Sequence, residues 1–186
     1  FGFLEVGTVT PLPQPGNPKP RVFRLSNENA VINRLGFNNK GVDHLVNNLK
    51  NRKYKGIVGV NIGANKSSKG QQRINDYITC FSKVAEFADY ITINISSPNT
   101  PGLRNLHSDE NIKNLIDAIE QCAIALNFVR PIFIKISPDE STETIKSISE
   151  HILISKLTGL LVSNTTIKKD MLENSKFKDL DGGLSG

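Results

Sequence analysis

The chain has 186 residues, of which 38% are hydrophobic and 22% are charged, and its formal net charge is +5. This composition is typical of a globular protein and excludes an intrinsically disordered chain, a collagen and a coiled coil. The positive charge is dispersed and tryptophan is absent, which argues against nucleic acid as a partner. No apolar run approaches the roughly 20 residues that span a bilayer.

Short β-rich runs alternate along the chain with longer segments of helical periodicity. In chain order, strands are predicted at residues 3–9, 57–62, 90–95, 131–136 and 159–162. Apolar residues recur at helical spacing from Ile74 to Ala85 and from Ile112 to Ala123, and a third helix is predicted to begin near Ser141. Such alternation indicates parallel strands covered by helices, as in a doubly wound sheet or a (β/α)8 barrel.

The ends of the predicted strands favour the barrel. Polar residues stand at Asn61, at Asn94, at Lys135 and at positions 163–165. A barrel gathers functional groups at the C-terminal ends of many strands, whereas a doubly wound sheet uses one switch point and a Gly-rich first turn. No GxGxxG sequence follows a strand here. We therefore predict the α/β class and a partial (β/α)8 TIM barrel, with roughly strands 2 to 6 of a fold that takes about 250 residues when complete.

A proline-rich segment interrupts this alternation. Five prolines lie between positions 11 and 20, and such a density fixes an extended backbone, as it would in an interdomain linker. The segment continues into the apolar residues Ala30, Val31 and Ile32, so we predict an ordered loop folded over the barrel mouth. The closing residues 182–186, GGLSG, are compatible both with a backbone N–H nest for a phosphate and with a flexible end.

The candidate site residues are mostly neutral amides, which offer two donors and an acceptor each. They suit either a planar heterocycle with C=O and N–H groups on its edge or a sugar. The sequence has no pair of site carboxylates, no histidine at a strand end and no metal-ligand cluster, so no metal is predicted, and its two cysteines are expected to be reduced core thiols. The amides are Asn33, Asn61, Asn94, Asn99 and Asn164.

A lysine and a serine-rich turn provide a positive charge and hydroxyl groups in addition to these amides. Lys135 lies among branched apolar residues, so its ammonium group either reaches the barrel rim or meets an anion such as a reduced flavin, an enolate or a substrate carboxylate. The segment 94–100 reads NISSPNT. A hydroxyl in such a rigid turn could accept a proton if water is excluded.

Taken in order, these segments resemble the class 2, quinone-linked dihydroorotate dehydrogenases along the whole chain. The motifs that carry the resemblance are GFLEVGTVTP at 2–11, GNPKPR at 16–21, INRLGFN at 32–38, GVNIG at 59–63, NISSPNT at 94–100, GLR at 102–104, KI at 135–136, NTT at 164–166 and GGLSG at 182–186. The resemblance implies a flavoprotein oxidoreductase with flavin mononucleotide (FMN) that oxidises dihydroorotate to orotate in pyrimidine biosynthesis and reduces a ubiquinone-type acceptor. Class 1 enzymes carry a cysteine where Ser97 stands, so the serine indicates class 2.

The resemblance also implies roles for individual residues. Ser97 would be the base that removes a proton from C5 of dihydroorotate while hydride passes from C6 to the flavin. Phe37 and Thr100 would also be catalytic, since they would lie beside this serine and shape its proton exit. The residues that would hold the substrate are Asn33, Asn94, Asn99, Asn164 and Thr165. The residues that would contact the flavin are Thr8, Asn61, Asn94, Lys135, Ser163 and Gly186.

The resemblance further implies that residues 1–186 are the central part of one FMN-binding barrel domain. The N-terminal membrane helices, the first strand and the last strands would lie outside this stretch, which we therefore expect to be inactive alone. The complete protein would be a monomer at the mitochondrial inner membrane or, alternatively, on the cytoplasmic face of a bacterial membrane. Competing hypotheses are another flavin- or phosphate-binding TIM-barrel enzyme and a truncated copy without catalysis.

Overall fold

The computed structural model describes residues 2–96, 109–172 and 175–186. Short 3-10 turns occupy Ser26–Glu28 and Asp170–Leu172. The strands and helices of the described ranges are, in chain order, β1 (Phe3–Val9), β2 (Val22–Leu25), β3 (Ala30–Asn33), α1 (Val42–Lys50), β4 (Ile57–Ile62), α2 (Gln71–Val84), β5 (Tyr90–Asn94), α3 (Asp109–Ala125), β6 (Ile132–Ile136), α4 (Thr142–Leu153), β7 (Gly159–Val162) and β8 (Gly183–Ser185).

A five-stranded parallel sheet in the order β1-β4-β5-β6-β7 forms the body of the fold. Its register places Asn61 opposite Thr92 and Asn94 opposite Lys135. Because all five strands run the same way, their polar C-terminal ends share one edge of the sheet. The sequence prediction of a partial (β/α)8 barrel is confirmed, and the predicted strand bounds agree with the observed ones to within one residue.

The helices cover the outer face of this sheet. Residues such as Val60, Ile93 and Ile134 alternate along their strands with inward-facing residues, and they are at most 1% exposed in the main core. The predicted apolar stripe of α2 is buried in the same core. The predicted start of α4 is confirmed by its cap, because Ser141 Oγ accepts a hydrogen bond from Thr144 N at 3.1 Å.

Aromatic rings fill the inner face near the N-terminal ends of the strands. The Tyr90 ring makes edge contacts with Phe3, at 6.2 Å between centroids, and with Phe133, at 5.9 Å. Gly59 makes room for this ring, since a Cβ at position 59 would lie 2.0 Å from Tyr90 Cζ. We call Phe3, Tyr90 and Phe133 the aromatic floor, because the polar strand ends lie farther along the same strands.

A second, antiparallel sheet in the order β2-β3-β8 was not predicted. The segment after the prolines does not remain a loop throughout, because it forms β2 and β3, and the apolar residues Ala30, Val31 and Ile32 belong to β3. The segment 182–186 is no flexible end, because Gly183–Ser185 pairs with β3. Gly182 has φ +132°, and a Cβ there would lie 2.6 Å from Asn33 O, so only glycine permits this approach.

The proline-rich segment before β2 is ordered by hydrogen bonds. Gln14 and Asn39 exchange two backbone hydrogen bonds of 3.0 Å. Asn65, which follows β4, accepts a bond from Leu12 N at 3.0 Å and donates to Leu12 O at 2.9 Å. The loop therefore lies at the end of the barrel where the predicted site residues gather. Among the described helices, none combines the length and the apolar character that crossing a membrane requires.

Candidate active site

A cavity of about 440 Å³ opens at the C-terminal ends of the parallel strands. Its wall also includes Glu5, Gly7, Leu35, Gly36 and Asn38. The predicted site residues that line it are Thr8, Asn33, Phe37, Asn61, Asn94, Lys135, Asn164 and Thr165. The structure thus brings predicted substrate and flavin residues from separate strands into one cavity.

A string of hydrogen bonds connects the polar side chains of this cavity. Thr8 Oγ1 donates to Asn61 Oδ1 at 2.7 Å, and Asn94 Nδ2 donates to Thr8 Oγ1 at 3.0 Å and to Asn61 Oδ1 at 3.1 Å. Ser96 Oγ donates to Asn94 Oδ1 at 2.7 Å and accepts from Asn164 Nδ2 at 2.8 Å. The side chains therefore have one consistent orientation across four strand ends, those of β1, β4, β5 and β7.

The string also includes two groups that the sequence analysis did not predict as site residues, Glu5 and Ser96. At one end, Asn61 Nδ2 donates to Glu5 Oε1 at 2.8 Å. Ser96 is fully buried and joins Asn94 to Asn164. Glu5 interrupts the apolar run of β1 as Lys135 interrupts that of β6, so the signal that marked Lys135 could also have marked Glu5.

Lys135 supplies positive charge to the cavity. It is half-buried on β6, opposite Asn94 of β5. Among the described residues that line the cavity, it is the one with a cationic side chain. An ammonium group beside neutral amides can stabilise an anion that the amides orient.

The loop after β3 contributes Phe37 to the wall. Phe37 has φ +53°, an uncommon conformation for a large residue, and Asn39 Nδ2 donates to its carbonyl at 2.8 Å. Gly63 lets Phe37 and Thr8 approach, since a Cβ there would lie 3.2 Å from the Phe37 ring and 2.8 Å from Thr8 Cγ2. The backbone holds this ring against the polar cavity.

Tyr77 fixes the strand end that carries Asn94. Its hydroxyl donates to Asn94 O at 2.8 Å. Burial raises the pKa of Tyr77 above its ordinary value, so the hydroxyl remains a donor across the working pH range. The core thiol of Cys80 is held protonated in the same way, because burial raises its pKa, in agreement with its prediction as a reduced core residue.

The remaining predicted site residues are not brought into this cavity. Ser163 is exposed, donates to Asn164 O at 3.2 Å and faces a more apolar space of about 720 Å³ on the inner side of the sheet. Gly186 lies against the turn between β2 and β3, since a Cβ on Gly186 would be 2.5 Å from Asn29 O. Ser97, Asn99 and Thr100 lie outside the described residues.

Comparison with known proteins places this chain in a family. The family model described as dihydroorotate dehydrogenase matches residues 1–186. The chain is 48% identical to the dihydroorotate dehydrogenase (quinone) of Saccharophagus degradans and 50% identical to that of Pseudoalteromonas translucida. Each alignment includes the whole of the present chain and 56% of the relative. The chain therefore spans about half the length of these relatives.

A solved structure shows the same fold. The crystal structure of DHODH from Eimeria tenella in complex with ferulenol superposes with a TM-score of 0.92 and 38% sequence identity. The superposition includes 100% of the present chain and 56% of the Eimeria tenella chain. Because the family model matches residues 1–186, the chain belongs to the dihydroorotate dehydrogenase family.

Proposed function

We propose that the complete protein containing this chain is a class 2 dihydroorotate dehydrogenase, which oxidises dihydroorotate to orotate with FMN as cofactor and a quinone as final acceptor. One observation carries the proposal: in a member of this family, a single cavity is lined by seven of the residues predicted to bind substrate or flavin and by Phe37, which was predicted to lie beside the catalytic serine. Residues 1–186 would form the central part of its FMN-binding barrel.

The residues of the cavity fit a flavin ring. A volume of about 440 Å³ is within the range of small-molecule sites. Thr8, Asn61 and Asn94 provide oriented donors and acceptors, and Lys135 provides a cation. These four residues would hold the ring, with Ser163 and Gly186 as further contacts implied by the resemblance.

The substrate side of the proposal uses the remaining amides. Asn33, Asn164 and Thr165 line the cavity, and Asn164 Oδ1 accepts from Thr165 N at 2.8 Å, which fixes that amide. Bound FMN would supply the acceptor for the hydride that leaves C6 of dihydroorotate. As the resemblance implies, Ser97 would take the proton from C5, Asn99 would help to hold the substrate, and Phe37 and Thr100 would shape the exit of the proton from the serine.

Anaerobic bleaching tests this function. The purified complete protein is expected to be yellow and to lose its flavin absorbance when dihydroorotate is added without oxygen, and a soluble ubiquinone analogue should restore the absorbance. Orotate is the matched control, because it binds the same site but has no hydride to give. A colourless protein, or one that dihydroorotate leaves oxidised, would contradict the proposal.

We also propose that the complete protein is monomeric and associates with a membrane through N-terminal helices. The named relatives are quinone enzymes, and quinones of this type dissolve in the bilayer. Saccharophagus and Pseudoalteromonas are bacteria, which favours the cytoplasmic face of a bacterial membrane. The mitochondrial inner membrane stays a prediction from the resemblance.

A further inference from the structure

Glu5 is a carboxylate at the boundary between two environments. It lines both the polar cavity and the apolar space that contains the aromatic floor. Its strand register places it opposite Gly59, which has no side chain to contact it. Burial and the neighbouring Glu5 raise the pKa of Tyr90 to about 12, so the floor beneath this carboxylate stays uncharged.

The two oxygens of Glu5 have separate donors. Asn61 Nδ2 donates to Oε1 at 2.8 Å, and Thr92 Oγ1 donates to Oε2 at 2.8 Å. An ionised carboxylate accepts hydrogen bonds and donates none. Glu5 can therefore bind only the NH2 end of the Asn61 amide, and it excludes the flipped amide, whose Oδ1 would face a negative charge.

The orientation of Asn61 decides what the rest of the string can do. With Nδ2 held by Glu5, Oδ1 accepts from Thr8 Oγ1 and from Asn94 Nδ2. A flipped Asn61 would place its NH2 against the NH2 of Asn94, and two donors would face each other. The carboxylate thus determines which atoms of Asn61, Thr8 and Asn94 are left for a ligand.

We propose that Glu5 is a positioning residue for the flavin, acting through Asn61 rather than by contact. The inference rests on the proposed function, since it assumes that Asn61 binds FMN. It predicts that FMN affinity depends on the acceptor at position 5 and that this dependence disappears when Asn61 has no amide.

Titration of the complete apoprotein with FMN tests the inference, with the melting temperature of each apoprotein as a second readout. Glu5→Leu replaces the carboxylate with an apolar side chain of similar size. It is expected to weaken FMN binding at least about tenfold, because loss of one charge-assisted hydrogen bond changes a dissociation constant by about that factor. Glu5→Gln is expected to recover binding to within about threefold of the wild type, because its carbonyl can accept from Asn61 while its NH2 donates to Thr92.

Thr92→Val is the matched control. It removes a second donor to the same carboxylate but leaves the bond to Asn61, so FMN binding should stay within about threefold of the wild type even where the melting temperature falls. A role in stability alone would instead make the FMN affinity of both variants follow the melting temperature.

A double-mutant cycle shows whether the effect passes through Asn61. On an Asn61→Ala background, Glu5→Leu is expected to cause no further loss of FMN affinity. If Glu5→Leu protein does not fold, the nearly isosteric pair replaces it: Asn61→Asp sets two carboxylates against each other, and adding Glu5→Gln should restore FMN binding about tenfold, since the new NH2 donates to the new carboxylate.

The inference is overturned if Glu5→Leu binds FMN as the wild type does, if Glu5→Gln is as weak as Glu5→Leu, if the cycle is additive, or if Glu5→Gln does not rescue Asn61→Asp. Wild-type apoprotein that takes up no FMN would overturn the proposed function, and this inference with it. A flavin-binding wild type with an unaffected Glu5→Leu variant overturns the inference only.

Discussion

Asn61 contacts partners of opposite kinds at the two ends of its amide. The Glu5 carboxylate accepts from its nitrogen, and the Thr8 hydroxyl donates to its oxygen, both within 2.8 Å. Individual amides of this site are therefore fixed by neighbours on other strands before any ligand arrives. Such preorganisation removes part of the ordering cost of binding.

Ser97→Ala tests the proposed base. Loss of a general base is expected to slow flavin reduction by about 10²–10⁴-fold. Orotate should bind within about threefold of the wild type, because the amides proposed to hold it remain. Anaerobic stopped-flow absorbance measures the first quantity, and orotate titration measures the second.

The control for this variant is Ser82→Ala. Ser82 is an exposed serine on α2 whose hydroxyl donates to Ile78 O at 2.9 Å, and its loss should leave flavin reduction unchanged. Reduction of the Ser97→Ala protein at a near-normal rate would rule out the serine as the base.

The sequence allowed some of the site residues to be predicted and not others, for a physical reason. Asn61, Asn94 and Lys135 follow from strand periodicity, because parallel strands bring their C-terminal ends to one edge. The importance of Glu5 depends on bonds to Asn61 and Thr92, which are 56 and 87 positions away in the chain. Such pairings depend on strand register, which a local pattern does not specify.

At the scale of elements, Asn65 attaches the proline-rich loop to the end of β4. Its side chain is 5% exposed. Its Nδ2 donates to Thr10 Oγ1 at 3.1 Å, to Leu12 O at 2.9 Å and to Gln14 Oε1 at 2.9 Å. One buried amide therefore replaces the contacts that a regular strand would have given this loop.

Asn65→Ala is expected to lower the free energy of unfolding of the complete protein by about 1–3 kcal/mol, because it leaves buried partners without a hydrogen bond. Urea denaturation measures the change. Asn48→Ala, at an exposed position on α1, is the control and should stay within about 0.5 kcal/mol of the wild type. Equal stability of the two variants would show that the loop does not depend on Asn65.

The strands and helices differ in how well they can be predicted from local sequence periodicity. The parallel strands and α2, α3 and α4 have strong periodicity of their own and were predicted. Strands β2, β3 and β8 have three or four residues each, and β8 becomes a strand only by pairing with β3 from the other end of the chain. Short strands formed by such distant pairing leave little trace in sequence.

At the scale of the whole molecule, the parallel sheet has two open sides within the described residues. Its order ends at β1 and β7, each of which has one neighbouring strand. Phe3 on β1 is 60% exposed, and Val162 on β7 is 77% exposed. Unpaired strand edges beside apolar surface favour association between copies.

A polypeptide limited to residues 1–186 is therefore expected to form soluble oligomers or aggregates. Sedimentation velocity over a concentration series measures this association, and the complete protein, which we propose to be monomeric, is the control. A concentration-independent monomer of residues 1–186 would show that these edges are protected in another way.

Gly59 has a consequence for the genetics of this protein. A Cβ at this position would lie within 2.4 Å of three atoms of the Tyr90 ring, so even the smallest missense change forces the aromatic floor to move. Replacing Tyr90 with a smaller residue would free that space but open a hole in the barrel interior. A substitution of Gly59 is thus expected to be tolerated only together with a substitution of Tyr90.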